Sequence, residues 1–152
     1  MLRNLNLKRM VDKSKKLTAS LSLVNDRLLF EGSVEGNYPV AIDYIPPFGD
    51  NLGYTSLELL LLSLSSCVGT ALLVLLRRGG KIIEKFSIKS EGIRRQVHPT
   101  AFEEIHLHIE IKASNLTSQE LEKTLAMIEN ICPVWYMIKG STKVVFHPKI
   151  EA

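Results

Sequence analysis

The sequence is poor in cysteine and in the patterns that cysteine usually forms. It holds two cysteines, Cys67 and Cys132, which are sixty-five residues apart. This separation fits no common zinc-binding spacing, and a structural disulfide is not expected in a chain without an export signal. On composition alone, two buried and inert thiols are the simpler expectation, and a reactive pair needs support from the surrounding sequence.

The sequence is also not expected to contain a secretory leader or a basic face of the nucleic-acid-binding kind. Residues 1–16 carry six basic side chains and one acidic one, but no continuous apolar segment such as a signal peptide has. The formal net charge is +3, and because this arm supplies about +5, the rest of the chain sums to about −2. We therefore expect a cytoplasmic protein without a nucleic-acid partner, made of a basic arm, residues 1–16, and one domain, residues 17–152.

Charge is missing from one long stretch of the chain. No charged residue occurs between Leu59 and Leu76, and the stretch closes with Arg77-Arg78-Gly79-Gly80, which is typical of the end of a helix. Thr55 and Glu58 have the spacing of a capping box and predict the start of this helix. A helix that is apolar on every face must also be covered on every face.

Two environments can cover such a helix. Its eighteen uncharged residues would span roughly 27 Å, nearly a bilayer core, so a membrane-anchored protein is one alternative. The flanking segments, however, alternate apolar and polar residues as a sheet with one face in water does. This pattern favours a buried helix and no membrane partner. Since a domain of this size is too small to enclose the helix alone, we expect a homodimer.

Alternation and turn residues predict six strands and two further helices. The strand segments are 18–24, 27–33, 38–44, 81–96, 102–113 and 141–149. Thr117 and Glu120 form a second capping box before a segment with apolar residues at helical spacing. Pro133 is placed to begin a short helix that Gly140 ends.

The two cysteines differ in their predicted surroundings. An apolar helix raises the pKa of a thiol because burial disfavours the thiolate, so Cys67 needs a nearby cation to be reactive. The Arg77-Arg78 pair lies roughly 15 Å further along the same helix, and Arg27 in the first predicted hairpin is the better candidate. Cys132 precedes Pro133, where the unpaired N–H groups of a new helix would favour its thiolate.

Two weaker patterns have simple structural explanations. His106, His108 and Glu110 share one face of a predicted strand and are possible metal ligands. Such alternation is more often a strand face in water, so no metal site is expected. The segment Trp135-Tyr136-Met137 has two equally good explanations: it lines an apolar pocket beside Cys132, or it packs in the core.

Two cysteine motifs resemble those of a known family. Residues 55–67, TSLELLLLSLSSC, and residues 132–134, CPV, are similar in order and separation to the paired motifs of the OsmC/Ohr family. The strand order, the glycine-containing loop before the long helix and the sequence FEG at 30–32 agree as well. The resemblance covers residues 17–150.

The resemblance implies a fold and a chemistry. The fold is an α+β subunit of two layers, with antiparallel sheets and a central buried helix, in an intertwined homodimer. The chemistry is reduction of organic hydroperoxides in an antioxidant stress response. Cys67 would attack the O–O bond and become a sulfenic acid, and Cys132 would resolve it to a disulfide. An external dithiol would restore the thiols, and no cofactor is implied.

The sequence departs from the family pattern at two positions. Hydroperoxide reductases of the family have a glutamate ten residues before the first cysteine, paired with an arginine. This chain has Leu57 there and Glu58 one residue later. Trp135 stands where many relatives have serine. We keep Glu58 and Arg27 as candidate helpers of Cys67. The alternative is a dimeric relative without peroxidase turnover, which binds a small apolar ligand or has another redox role.

Overall fold

The computed structural model describes residues 16–151, which form two compact units that divide between Ser56 and Leu57. The elements in chain order are β1 (Ser20–Leu23), β2 (Phe30–Ser33), β3 (Val40–Ile42), α1 (Ser56–Arg78), β4 (Ile83–Arg94), β5 (Phe102–Ala113), α2 (Ser118–Ile128), α3 (Pro133–Ile138) and β6 (Lys143–Glu151). All of the predicted basic arm except Lys16 lies outside the described residues, so the predicted domain boundary stays a prediction.

The first unit holds an antiparallel sheet in the order β1-β2-β3. Its strands are shorter than predicted because residues at the predicted strand ends form turns instead. The side chain of Asn25 accepts hydrogen bonds from the N–H groups of Arg27 and Leu29, so β2 begins only at Phe30. Gly36 supplies the next turn with a φ of 82°, which glycine adopts at little cost.

A buried carboxylate holds the loop after β3. Asp43 is 3% exposed and accepts hydrogen bonds from the N–H groups of Tyr44, Asp50 and Leu52. These bonds, with that from Leu52 the largest cause, hold the pKa of Asp43 below its ordinary value. Gly49 is required here, since a Cβ would lie 2.1 Å from the carbonyl oxygen of Tyr44. The segment predicted as a loop is therefore fixed by its own hydrogen bonds.

The second unit holds a sheet in the order β4-β5-β6 together with all three helices. β4 and β5 are antiparallel, as predicted. β6 runs parallel to β5, which differs from the expected antiparallel sheet. β6 is parallel because α2 and α3 form a crossover between the two strands. This crossover carries the chain from the end of β5 back to the end of the sheet where β5 begins, so β6 runs in the same direction. The α+β class, with its long helix between two small sheets in sequence, is confirmed.

Both ends of α1 match the prediction. The helix begins directly after Thr55 and ends at Arg78. Beyond it, the N–H of Gly80 donates to the carbonyl of Arg77, and the N–H of Lys81 donates to that of Leu76, each at 3.0 Å. Gly80 has a φ of 76°. These bonds form a Schellman motif, which stops the helix where the glycine pair predicts.

α1 is covered on one side. The side chains buried there are Leu64, Val68, Leu72 and Leu76. Gly69 allows a close approach to β4, since a Cβ would lie 3.1 Å from the Phe86 ring. Leu62 and Val74 remain 51% and 41% exposed. The helix is long and apolar enough to cross a membrane, but only 28% of its most apolar window is buried. The cover expected from a second chain stays a prediction.

The two faces of β5 differ as the alternation predicts. Ile105, Leu107, Ile109 and Ile111 are fully buried in a core shared with α1 and α2. On the other face, His106 is hydrogen-bonded to His147 at 2.9 Å and to Glu104 at 3.1 Å, and His108 is bonded to Glu91 at 3.2 Å. Among residues 16–151, no group of three or more ligand side chains has the geometry of a metal site.

Candidate functional site

The two cysteines meet in the second unit. Cys67 lies near the middle of α1, and Cys132 lies directly before α3. The two side chains are close enough that Cys67 helps to raise the pKa of Cys132, and both are free thiols. Cys67 is half-buried, whereas Cys132 is 1% exposed. The fold thus pairs two thiols of unequal access that are sixty-five residues apart in the chain.

Cys132 caps α3, yet the pKa of its thiol is raised. Its sulfur accepts a hydrogen bond from the N–H of Trp135 at 3.4 Å, and Pro133 follows at the first helical position. Burial, the largest cause, raises the pKa of Cys132 to about 11; the hydrogen bond and charge of Cys67 act in the same direction. The N–H groups of Trp135 and Val134 lower the pKa by less. The N–H groups thus act in the predicted direction, but the net shift is upward because loss of water outweighs the helix N-terminus.

A pocket of about 540 Å³ opens beside Cys67, and we call it the thiol pocket. Besides the thiol, α1 lines it with Ser66, Thr70, Ala71, Val74, Leu75 and Arg78, and the segment before α3 adds Ile131 and Pro133. Most of these side chains are apolar. Cys67 therefore faces a space with the size and character of a small-molecule site, while Cys132 is buried and does not line it.

Helical periodicity explains the shape of the thiol pocket. Ala71, Val74 and Arg78 follow Cys67 after four, seven and eleven residues, which places all four within about 40° of one direction. From the sequence, Arg78 was assigned to the helix stop and set aside as a cation for Cys67 because of its distance, so its place on this face was missed. The spacing was present in the sequence and would have revealed it.

Arg27 belongs to the first unit, where it holds the loop after β3. Its guanidinium forms an ion pair with Asp50 and donates a hydrogen bond to the carbonyl oxygen of Pro47. It therefore has structural partners of its own. The predicted role of Arg27 beside Cys67 stays a prediction.

Glu58 lies in the first turn of α1, at the exposed surface. It precedes Cys67 by nine residues, which amounts to about 13 Å along the axis and about half a turn around it. A carboxylate in the first turn suits the positive end of the helix. The part of Glu58 as a helper of Cys67 stays a prediction, and Leu57, at the family's glutamate position, is half-buried.

The aromatic segment after the second cysteine lies outside the thiol pocket. Trp135 packs edge-on against Phe146, with ring centroids 5.0 Å apart, and lines a separate groove with Leu125. Tyr136 and Met137 are 68% and 74% exposed. Of the two explanations that the sequence left open, core packing holds for Trp135.

Comparison with known proteins identifies a family. The family model described as OsmC-like protein matches residues 49–147, more than half of the chain. Comparison with curated proteins finds no match.

Solved structures share the fold. A hypothetical protein from Aquifex aeolicus VF5 is 25% identical, with a TM-score of 0.75 over 91% of this chain and 99% of that one. The OsmC-like protein from Mycoplasma pneumoniae is 19% identical, with a TM-score of 0.79 over 91% and 99%. An organic hydroperoxide resistance protein from Legionella pneumophila is 16% identical, with a TM-score of 0.67 over 90% and 98%. The resemblance seen in the two cysteine motifs is thus confirmed, and the chain belongs to the family of OsmC-like proteins.

Proposed function

We propose that this protein is a thiol-dependent peroxidase that reduces organic hydroperoxides, and that it works as a cytoplasmic homodimer. The observation that carries the proposal is the close pair of thiols, with Cys67 on the wall of an apolar pocket and Cys132 buried. Membership of the OsmC-like family and a fold shared with proteins named for organic hydroperoxide resistance support a redox role in peroxide resistance.

The cycle has two steps in the protein. The Cys67 thiolate attacks the O–O bond, keeps one oxygen as a sulfenic acid, and releases the other as an alcohol after protonation. Cys132 then attacks the sulfenic sulfur, and the hydroxyl leaves with the thiol proton as water. One hydroperoxide and two thiols thus give an alcohol, water and a disulfide. An external dithiol supplies two electrons and two protons to restore the thiols.

The different environments of the thiols support this order of steps. With a pKa of about 11, Cys132 stays protonated at neutral pH and does not compete for the peroxide. Oxidation of Cys67 to a neutral sulfenic acid removes the charge that helps to raise the pKa of Cys132. The N–H donors of Trp135 and Val134 remain and favour the Cys132 thiolate. The first oxidation therefore removes one cause of the raised pKa of Cys132, while burial, the largest cause, remains.

The test is a thiol titration of the reduced protein with cumene hydroperoxide. We expect one equivalent of peroxide to consume both thiols and to leave a Cys67–Cys132 disulfide, detected by peptide mass spectrometry. Cys67→Ser should abolish the reaction, whereas Cys132→Ser should stop at a sulfenic acid that dimedone traps. Unchanged thiols in the wild-type protein would overturn the proposal.

One observation favours the alternative, a family member that binds an apolar ligand without turnover. Arg27 is engaged with Asp50 and Pro47, and Leu57 takes the place of the family's glutamate. If no other cation activates Cys67, the thiol pocket serves binding alone. In that case the cumene hydroperoxide titration leaves the thiols intact, while an apolar fluorescent probe still binds and is displaced by fatty acids.

A further inference from the structure

The wall of the thiol pocket carries two hydroxyl groups close to the Cys67 thiol. Ser66 directly precedes the thiol on α1, and Thr70 follows it by three residues, on the same side of the helix. The other lining side chains are apolar except for Arg78, which lies about 16 Å further along the axis. Of the described residues that line the pocket, Ser66 and Thr70 therefore hold the polar groups nearest to the sulfur.

The two hydroxyls differ in their hydrogen bonding. Ser66 donates its proton to the carbonyl oxygen of Ser63 at 3.0 Å, one turn back along α1. Thr124 in α2 likewise donates to the carbonyl oxygen of Glu120 at 2.8 Å, as hydroxyls inside helices often do. Thr70 makes no such bond, and within the described part of the chain its hydroxyl has no hydrogen-bond partner. Its proton is therefore available to a molecule in the thiol pocket.

A hydroperoxide at Cys67 develops charge on its leaving oxygen. The thiolate forms a bond to one oxygen, the O–O bond breaks, and the electron pair leaves on the other oxygen as an alkoxide. The hydrogen of the peroxide stays on the sulfenic acid, and the proton that the thiol lost to water returns from water to the alkoxide.

The helix places the Thr70 hydroxyl where this charge develops. The attacked oxygen starts about 3 to 3.5 Å from the sulfur, and the leaving oxygen lies one bond further out. Side chains three residues apart on a helix have Cβ atoms about 5 to 6 Å apart. A peroxide that lies along α1 from Cys67 toward Thr70 therefore has its leaving oxygen beside this hydroxyl.

From this arrangement we infer that Thr70 is a further catalytic residue, whose hydroxyl donates a hydrogen bond to the leaving oxygen while Cys67 attacks the peroxide. The inference rests on the proposed peroxidase function. The hydrogen bond becomes about twice as strong when its acceptor changes from a neutral peroxide to an alkoxide. It therefore stabilises the transition state more than the bound peroxide, and it raises the rate of the chemical step.

The test measures how fast cumene hydroperoxide oxidises Cys67 in a single turnover of the reduced full-length protein. Thr70→Val removes the hydroxyl and keeps a branched side chain of nearly the same shape. We expect it to lower the second-order rate constant by roughly 10- to 100-fold, because an ionic hydrogen bond of the transition state is lost. Thr70→Ser should keep most of the wild-type rate, because it keeps the hydroxyl.

Thr124→Val is the matched control. It makes the same substitution at a helical threonine that does not line the thiol pocket and whose hydroxyl is already bonded within α2. Its rate constant should equal that of the wild type.

Two further reagents separate the leaving oxygen from the thiol itself. Iodoacetamide alkylates Cys67 without forming an alkoxide, so its rate should be the same in Thr70→Val and in the wild type at every pH. Peracetic acid releases acetate, a weak base that gains little from an added hydrogen bond. Thr70→Val should therefore slow the reaction with peracetic acid less than the reaction with cumene hydroperoxide.

The outcomes separate this inference from the proposed function. If Thr70→Val is oxidised at the wild-type rate, or if alkylation slows as much as oxidation, the role of Thr70 is overturned while the peroxidase stands. If no peroxide consumes the thiols of the wild type, the peroxidase itself fails and the inference fails with it. A loss confined to oxidation, larger for cumene hydroperoxide than for peracetic acid and small in Thr70→Ser, supports the inference.

Discussion

Cys67 and Cys132 show how strongly the surroundings of a residue decide its chemistry. Both are free thiols that influence each other, yet Cys132 is 1% exposed and has its pKa raised to about 11. The helix N-terminus at α3, read from Pro133, is present. It does not decide the protonation state, because burial depends on residues distant in sequence. A local motif therefore predicts where a thiol lies better than it predicts its pKa.

The raised pKa of Cys132 gives a prediction about its labelling. In the wild-type protein, the rate at which iodoacetamide modifies Cys132 should rise with pH toward about 11. In Cys67→Ser the midpoint should fall, because the charge of Cys67 is lost, but stay above 9.0, the ordinary value, because burial is the largest cause. Peptide mass spectrometry gives the rate at each pH. A midpoint at or below 9.0 in Cys67→Ser would show that burial does not control this thiol.

The same shift has a consequence for stability. The folded state holds the Cys132 proton more tightly than the unfolded state does. The contribution of the protonated thiol to the free energy of unfolding is therefore complete below pH 9 and is lost as the pH rises toward about 11. The free energy of unfolding of the wild type should therefore fall more steeply over this interval than that of Cys132→Ser. Urea denaturation at pH 8, 9 and 10 measures the difference.

At the scale of elements, the ends of helices could be predicted because their signals are local. The capping box of Thr117 and Glu120 is present at the start of α2, and the glycine pair after α1 forms its C-cap. The direction of β6 could not be predicted in this way. It depends on the edge of β5 to which the chain returns after two helices, and no single segment encodes that choice.

Gly80 and Gly140 provide a matched pair for testing the end of α1. A Cβ has open space at both positions, but Gly80 alone of the two has a positive φ, of 76°. Gly80→Ala should lower the free energy of unfolding by about 1 to 2 kcal/mol, because an alanine is strained in the left-handed conformation. Gly140→Ala should change it by no more than about 0.5 kcal/mol. Urea denaturation measures both, and equal effects would refute the Schellman assignment.

The start of α2 gives a prediction about acid stability. Glu120 accepts a hydrogen bond from Lys81 at 2.6 Å and bonds from Thr117, which together lower its pKa from 4.5 to about 2. The stabilising contribution is therefore complete above about pH 4.5 and is lost as the pH falls toward 2. The difference in Tm between wild type and Glu120→Gln should shrink over this interval. The control is Glu122→Gln, on the same helix, whose Tm should follow that of the wild type at every pH. A difference in Tm for Glu120→Gln that stays constant with pH would contradict the ionic role of the Glu120 carboxylate.

At the scale of the whole molecule, the candidate site was predicted only in part. The cysteine pair followed from two motifs in the right order, and the structure brings the two thiols together. The thiol pocket did not follow, because α1 and the residues around Ile131 and Pro133 form it jointly. Contacts between distant segments depend on packing, and a single sequence shows them only where a known family supplies the pairing.

The exposed side of α1 argues for a second copy of the chain. Leu62 and Val74 are 51% and 41% exposed in the uncharged stretch of α1, and a soluble chain rarely leaves such a surface in water. We expect a mass of about twice 17.1 kDa by sedimentation equilibrium, after extraction without detergent. Leu62→Glu should shift the protein to monomer, because the buried interface would then hold an unpaired charge. Lys85→Glu, at an exposed position of β4, should remain dimeric. A wild-type monomer would rule out the dimer. Recovery of the protein only with detergent would favour the membrane alternative. In either case, something other than a second soluble chain must cover this helix.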